Sequence, residues 1–232
     1  MPLAFFISAK YQKPKKKTMS NTATKFSVPG LAETIVPTGP AQKMRTGAGK
    51  LVPYFSLPFQ LPGLRVAFDT RPQSPMSGEG RLSCKVALSI DPQEPVGAQL
   101  QAFMAQVDAQ AIKYIESNPK EFWGAKKKLP NLADVFVPSV RQNGDYLPLF
   151  SAKCGFNGSV DDYELSPSCF LPDGIAVDPK EALRAKNKVV AIVKPKYIWA
   201  ISGRFGVTWS LERACDLELA ADQTSFDFDL AE

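Results

Sequence analysis

The strongest constraint on the fold is a long apolar stretch near the C-terminus, residues 188–219. Its first part, KVVAIVKPKYIWAIS, is a continuous apolar run, which is typical of a central strand. Its second part, VTWSLERACDLEL, alternates apolar and polar residues and is interrupted only at Arg213. The segment between them, SGRFG, has two glycines that can supply unusual backbone angles. We therefore expect two strands joined as a hairpin, with Trp209 in the core.

One long helix is predicted between the early and the late strands. From Val96 to Ile115 apolar residues recur every three or four positions, as on one face of an amphipathic helix. Pro95 and the segment 117–119 mark its limits. In total, including the two late strands, about six to eight segments have the pattern of strands. The expected fold class is mainly β: two packed sheets or a small closed barrel would satisfy the pattern. A five-stranded Greek-key barrel with the helix in one strand connection fits best.

The composition argues against most enzyme and metal sites. The chain has no His, which is the commonest general base and metal ligand. None of its four cysteines forms a CxxC pair, so we expect buried free thiols and no metal site. GAGK at 47–50 lacks the first glycine of a P-loop, and no GxGxxG follows a strand. We therefore expect a protein that is not an enzyme and has no cofactor.

Charge is distributed unevenly along the chain. Residues 1–50 carry nine Lys or Arg and one acid, whereas residues 214–232 carry six acids and no base. We expect a basic disordered or extended arm at 1–50, a folded domain at 51–220 and an acidic tail at 221–232. This distribution indicates a polyanion partner and a tail that can compete for the same site.

The N-terminal apolar segment is too short for a secretory signal, and no apolar run is long enough to span a membrane. We therefore expect an intracellular protein that is not secreted and has no membrane partner. The cluster Lys13–Lys17 is similar to nuclear-localisation signals, which makes the nucleus of a host cell one destination.

Basic and aromatic residues occur together in three places. Lys and Arg can follow the phosphates of a nucleic acid while aromatic rings stack on unpaired bases. The first place holds Lys194, Lys196, Tyr197, Trp199, Arg204 and Phe205, the second holds Trp123, Lys126, Lys127 and Lys128, and the third is Tyr54 beside Lys50. Taken singly, Trp199 also fits a core position, and residues 126–128 also fit a solvated loop. Their coincidence in one β-rich chain predicts a surface for single-stranded nucleic acid.

This layout resembles the OB-fold single-stranded-DNA-binding proteins of T7-like phages and large DNA viruses. The resemblance rests on the strand RLSCKVALSI, the helix GAQLQAFMAQVDAQAIKYIES, the connection WGAKKKLP and the late hairpin, and it covers roughly residues 50–232. It implies an OB-like barrel that binds DNA in replication, recombination or repair. By position, the implied DNA-binding residues are Lys126, Lys127, Lys128, Lys153, Lys196, Tyr197, Trp199, Arg204 and Phe205.

The same resemblance implies that the acidic tail contacts replication proteins. Its docking residues would be Phe226, Asp227, Phe228 and Asp229, although the tail ends in Glu232 rather than in an aromatic residue. From the residues alone, the tail is a docking peptide or a mimic of nucleic acid. Three alternatives stay open: RNA as the ligand, a homodimer, and a viral coat-like β-sandwich whose basic arm faces the genome.

Overall fold

The computed structural model describes residues 23–43, 49–54, 56–75, 81–123 and 131–218, with side chains up to Phe122 in the fourth range. The predictions at residues 13–17, 126–128 and 221–232 lie outside the described residues. The strands are β1 (Thr24–Lys25), β2 (Gln42–Lys43), β3 (Gly49–Pro53), β4 (Phe59–Val66), β5 (Pro72–Gln73), β6 (Ser83–Ser89), β7 (Phe136–Val137), β8 (Val140–Arg141), β9 (Leu149–Cys154), β10 (Phe156–Gly158), β11 (Tyr163–Leu165), β12 (Ser168–Phe170), β13 (Ala176–Val177), β14 (Lys188–Ile201) and β15 (Arg204–Asp216). The helices are α1 (Leu31–Thr34), α2 (Pro95–Ser117), α3 (Pro119–Trp123), α4 (Leu132–Val135) and α5 (Pro179–Ala182).

Five of these strands close a barrel. β4 pairs with β6, β6 with β9, β15 with β14 and β14 with β4, all antiparallel. A parallel pair between β9 and β15 completes the ring. The neighbouring order β14-β4-β6-β9 is that of a Greek key, and α2 lies in the connection between β6 and β9. The predicted mainly β barrel with an amphipathic helix in a strand connection is confirmed.

The connection between β14 and β15 is shorter than expected. It consists of Ser202 and Gly203, whose φ angles are 51° and 79°. Two consecutive positive φ angles are what a two-residue hairpin turn requires. Arg204 and Phe205, which we expected in the connection, therefore begin β15 and belong to the sheet.

The pairing of β14 with β15 shifts register twice. At the first shift Ile192 pairs with Arg213 and the next residue of β14 pairs with Leu211, so Glu212 is an extra residue in β15. This bulge explains why the alternation in the sequence is interrupted at Arg213. Pro195 lies at the second shift, where its missing N–H is tolerated. Because bulges bend a strand, the hairpin can leave the barrel and continue beside β3.

The helix α2 packs against the hairpin of β14 and β15, both in the barrel and beyond it. Its buried side includes the predicted apolar residues Leu100, Phe103, Met104, Val107, Ala111 and Ile115. In the barrel, the ring of Phe59 meets the rings of Phe103 and Trp209 edge-on, at 5.1 and 5.9 Å between centroids. Beyond the barrel, the C-terminal part of α2 joins Val52, Ile198 and Phe205 in a second cluster. Trp209 is only 2% exposed, which confirms its prediction as a core residue.

Residues 23–43 fall in the segment that we expected to be a disordered or extended arm. Instead, Phe26, Ala32 and Ile35 are 6%, 3% and 1% exposed and belong to the main core. β1 pairs in parallel with β4, and the ring of Phe26 lies 6.0 Å from that of Phe103. These isolated apolar residues show no periodicity, so their packing has no local signal. The expectation of an unpacked arm is therefore not met by residues 23–43.

A buried carboxylate joins α2 to the connection between β7 and β8. Asp108 accepts hydrogen bonds from the backbone N–H and the hydroxyl of Ser139, at 2.8 and 2.6 Å. The indole of Trp209 donates to the same hydroxyl at 2.8 Å. Burial raises the pKa of Asp108 to about 6, although the Ser139 hydrogen bonds and the charge of Arg141 oppose this shift. The helix, the connection and the barrel interior are thus linked by one chain of hydrogen bonds.

The buried position of Asp108 predicts a specific pH dependence of stability. Because its pKa is higher in the folded state, its contribution favours folding most below about pH 4 and is lost as the pH rises through about 6. The variant Asp108→Asn lacks this titration. Between pH 4 and pH 7 we expect its free energy of unfolding to rise, relative to that of the wild type, by about 2–3 kcal/mol. Urea unfolding at the two pH values measures this difference, and a difference that does not change with pH would contradict the prediction.

Candidate nucleic-acid interface

Basic side chains from neighbouring strands lie on the outer face of the barrel. Lys85 of β6 and Lys153 of β9 are direct cross-strand partners, and both are exposed while their chain neighbours are buried. Arg141 of β8 pairs with Leu149, which lies on the same side of β9 as Lys153 because strand residues alternate between faces. Three cations from three strands therefore share one surface.

Four positive charges on this surface are close enough to repel one another. Partial desolvation lowers the pKa of Lys85, and the charges of Arg141 and Lys153 lower it further. Partial desolvation likewise lowers the pKa of Arg141, and the charge of Arg204 adds to the shift, whereas the charge of Asp108 opposes it. Gathering like charges costs free energy unless an anion offsets it. We call this surface the basic face, and it consists of Lys85, Arg141, Lys153, Arg204, Tyr197 and Trp199.

Tyr197 is bound directly to one of these cations. The ammonium of Lys153 donates a hydrogen bond to its phenolic oxygen at 2.8 Å and lies 5.4 Å from its ring centroid. Burial alone raises the pKa of Tyr197, but the hydrogen bond and charge of Lys153, a hydrogen bond with Thr208 and the charge of Lys196 together bring it below the usual value. The predicted residues Lys153 and Tyr197, distant in sequence, thus form one unit.

Trp199 lies farther along β14, towards the hairpin turn. It is partly exposed and pairs with Gly206 of β15. A Cβ atom added at Gly206 would lie 3.0 Å from the indole ring and 2.8 Å from the carbonyl oxygen of Val137. Only glycine therefore lets the Trp199 ring and the strand β7 both approach β15 so closely. Part of the ring remains accessible on the basic face.

The remaining predicted lysines of β14 occupy different positions. Lys194 lies 3.4 Å from the carboxylate of Glu212, which also accepts a hydrogen bond from the hydroxyl of Ser210. Because the charge of Glu212 offsets that of Lys194, we do not count Lys194 in the basic face. Lys196 is exposed, and its charge contributes to the pKa shift of Tyr197.

Two predicted aromatic residues pack into the core, Phe205 fully and Tyr54 in part. Phe205 is fully buried, with its ring 5.1 Å from that of Phe136; its prediction as a DNA-stacking residue is wrong because it lies inside β15 rather than at the turn. Tyr54 packs against the main core and the second cluster, and its buried hydroxyl has no hydrogen-bond partner among the described residues. Burial, and then the charge of Asp108, raise the pKa of this phenol.

The second predicted place is described only in part. The backbone of Trp123 ends α3, but its side chain and Lys126, Lys127 and Lys128 lie outside the described residues. Their role, and that of Phe226, Asp227, Phe228 and Asp229 in the tail, stays a prediction.

The sequence reasoning missed two residues of this surface. Lys85 is the outward lysine of the strand RLSCKVALSI, and Arg141 directly precedes the connection that contains the Asn143–Gly144 pair. Each residue has an unremarkable sequence context, because the partners that bring the cations together lie on other strands. The sequence contained one usable signal, which concerns Lys85: it is a lysine at an outward-facing position of a strand with alternating apolar residues.

The described residues also bear on the other expectations. All four cysteines are buried free thiols, as expected. Within the described ranges, no group of three or more Cys, Asp or Glu side chains is arranged to hold a metal ion. No helix in the part of the chain that the structure covers is both long and apolar enough to cross a membrane.

Solved structures with some likeness to this chain include single-stranded DNA-binding proteins of bacteriophages. The protein from bacteriophage Enc34 in complex with ssDNA is 13% identical, with a TM-score of 0.43 over 85% of this chain and 99% of that chain. The protein gp2.5 encoded by bacteriophage T7 is 19% identical, with a TM-score of 0.47 over 72% of this chain and 94% of that chain. No protein-family model and no curated protein sequence matches the chain. These likenesses do not assign the chain to a family.

The contact between Lys153 and Tyr197 predicts a measurable shift in tyrosine ionisation. In the variant Lys153→Gln the phenol loses the hydrogen bond and charge that lower its pKa, so we expect Tyr197 to ionise at higher pH than in the wild type. An absorbance titration of tyrosinate measures this, and subtraction of the Tyr197→Phe curve isolates the transition. Equal transitions in the Lys153→Gln variant and the wild type would show that Lys153 does not act on this phenol.

Proposed function

We propose that this chain binds single-stranded DNA without sequence preference, along the basic face. The observation that carries the proposal is the gathering of Lys85, Arg141, Lys153 and Arg204 despite their mutual repulsion. Such a cluster favours a ligand with several regularly spaced negative charges, as in a chain of phosphates. A neutral ligand or a single carboxylate would leave most of this repulsion in place.

The aromatic residues favour single-stranded over double-stranded DNA as this ligand. Tyr197 and Trp199 are partly exposed beside the cations. In a duplex the faces of the bases are stacked on one another, whereas in a single strand they are accessible to aromatic rings. Stacking does not depend on base identity, so binding should be independent of sequence.

The basic face is long enough to bind a short stretch of single-stranded DNA. From Arg204 to Ser210, which pairs with Lys153, β15 extends about 20 Å at 3.3 Å per residue. One barrel of this type covers about 4–16 nucleotides in single-strand-binding proteins. The closed barrel with its Greek-key order supports membership of the OB-fold class as part of the proposal. Sequence-independent binding would support a non-enzymatic role in replication, recombination or repair, which is part of the proposal.

The first test measures how binding of oligo-dT depends on salt concentration. With four contacting cations, we expect log K to fall with log salt with a slope of about −3, because each phosphate contact in a single strand contributes about −0.7. The variant Lys85→Gln should reduce the magnitude of this slope by about 0.7. The control Lys113→Gln removes an exposed charge from α2, away from the basic face, and should leave the slope unchanged.

Two results would contradict the proposal in this titration. One is binding that does not respond to salt, and the other is equal affinity for a duplex of the same length. The same titration with oligo-U compares RNA with DNA, since stacking alone does not distinguish them.

The second test removes an aromatic face. In Trp199→Ala we expect affinity for oligo-dT to fall by about tenfold, because one stacked base contributes about 1–3 kcal/mol. Affinity for an abasic oligonucleotide with the same phosphates should change little. Phe68→Ala is a matched control, because Phe68 is 63% exposed and lies outside the basic face. An equal loss for both oligonucleotides would contradict a stacking role.

A further inference from the structure

A small cleft opens at the edge of the basic face. On one side β15 pairs with β14 along its length, while on the other side it pairs with β7 up to Gly206 and with β9 at Ser210. Among the described residues, no strand pairs with the positions between them on that side. The gap forms a cleft with a volume of about 160 Å³.

The lining of this cleft combines apolar and polar groups. Val207, Leu149 and the largely buried indole of Trp209 supply apolar surface. Ser139, Arg141, Asn143 and Ser151 supply polar groups in comparable number. Such a mixture can contact the faces of a small flat ligand and bind its polar edge.

The volume limits what can enter. Drug-sized ligands need about 300 Å³ or more, whereas a cavity of about 150 Å³ holds a single benzene ring. The cleft therefore matches one planar ring with small substituents. A nucleobase has this shape, with two apolar faces and a polar edge.

Arg141 connects the cleft to the phosphates of a bound strand. Its Nε–H donates to the backbone carbonyl of Pro138 at 3.3 Å, which fixes one side of the guanidinium. A guanidinium has five N–H donors in all, so further donors remain for an anion. Ser151 lies two positions from Lys153 on the same side of β9, which places the cleft beside the phosphate-binding cations.

Two hydrogen bonds fix part of the lining of the cleft before a ligand binds. The hydroxyl of Ser139, in the connection that forms one wall, donates to Asp108 and accepts from Trp209. These two bonds fix the wall relative to the indole, so little ordering is needed when a ring enters.

We infer that this cleft takes one unpaired nucleobase of a DNA strand on the basic face, with Arg141 bound to the adjacent phosphate. The inference rests on the proposed function and adds a site for a base inserted into the protein, distinct from the rings of Tyr197 and Trp199 on the surface.

The test fills the cleft and compares two ligands. Ser151 is exposed at the rim, so Ser151→Phe adds a ring over the cleft without a change in charge. The control Ser168→Phe makes the same change at an exposed position of β12. The ligands are a ten-nucleotide oligo-dT and an abasic oligonucleotide of equal length. We expect Ser151→Phe to reduce the ratio of the two affinities by about tenfold, with unchanged affinity for the abasic strand, and Ser168→Phe to keep the wild-type ratio.

The outcomes separate this inference from the proposed function. If the wild type binds neither oligonucleotide, the proposed function fails. If it binds oligo-dT and Ser151→Phe keeps the wild-type ratio, or loses affinity for both strands equally, the inference is overturned while the proposed function stands.

A second measurement needs no variant. An oligo-dT strand that carries one 5-iodouracil is cross-linked to the wild-type protein by light, and the attached residue is identified by mass spectrometry. Attachment to Trp209 or to a neighbour in the cleft supports the inference. Attachment only to Tyr197 or Trp199 would overturn it.

Discussion

The antiparallel pairing of β14 with β15 is the contact on which the other parts of the molecule depend. In the barrel, these strands connect β4 on one side with β9 on the other. Beyond the barrel they pair with β3 and β7 and meet the end of α2. All three hydrophobic clusters of the described residues therefore contain residues of this hairpin, and the basic face is built along it. A change in its register would move Tyr197 and Trp199 to the opposite face.

Two different forces act on the two faces of this hairpin. On the inner face, Trp209 is held by edge-on contacts with Phe59 and Phe150 and by the hydrogen bond to Ser139. On the outer face, Lys85, Arg141, Lys153 and Arg204 accumulate, and the charge of the buried Asp108 offsets only part of the repulsion at Arg141. The packing of the inner face stabilises the hairpin enough to offset the repulsion on the outer face. Proteins in general accept unfavourable interactions at functional sites and compensate for them elsewhere.

Much of the fold could be predicted because its signals are local. The apolar stripe of α2 and the alternation from Val207 onwards depend only on neighbouring residues, and both correctly indicated the elements and the core position of Trp209. The bulge at Glu212 appeared in the sequence as an interruption but could not be interpreted without its partner strand. The turn at Ser202 was predicted too long because glycines occur on both sides of Arg204, although only Gly203 has a positive φ angle.

The candidate site was less predictable for the same reason. Lys153 and Tyr197 were chosen from sequence, but their hydrogen bond depends on the pairing of β9 with β15, which no local pattern contains. Lys85 and Arg141 have no unusual neighbours in the chain and become significant only through the strands beside them. Phe205 followed a basic residue and a glycine, a context that suggests exposure, yet its ring completes the cluster beneath Phe136.

The parallel contact between β9 and β15 has a further consequence. The barrel is closed there by a single pair, Lys153 with Ser210, between segments far apart in the chain. A single pair contributes little enthalpy, whereas joining two distant segments of the chain costs conformational entropy. We therefore expect this junction to form late in folding and to open more readily than the other strand pairs of the barrel. Lys153 also belongs to the basic face, so a polyanion bound there, as proposed, would favour the closed junction. Ligand occupancy and barrel closure would then be thermodynamically linked through one lysine.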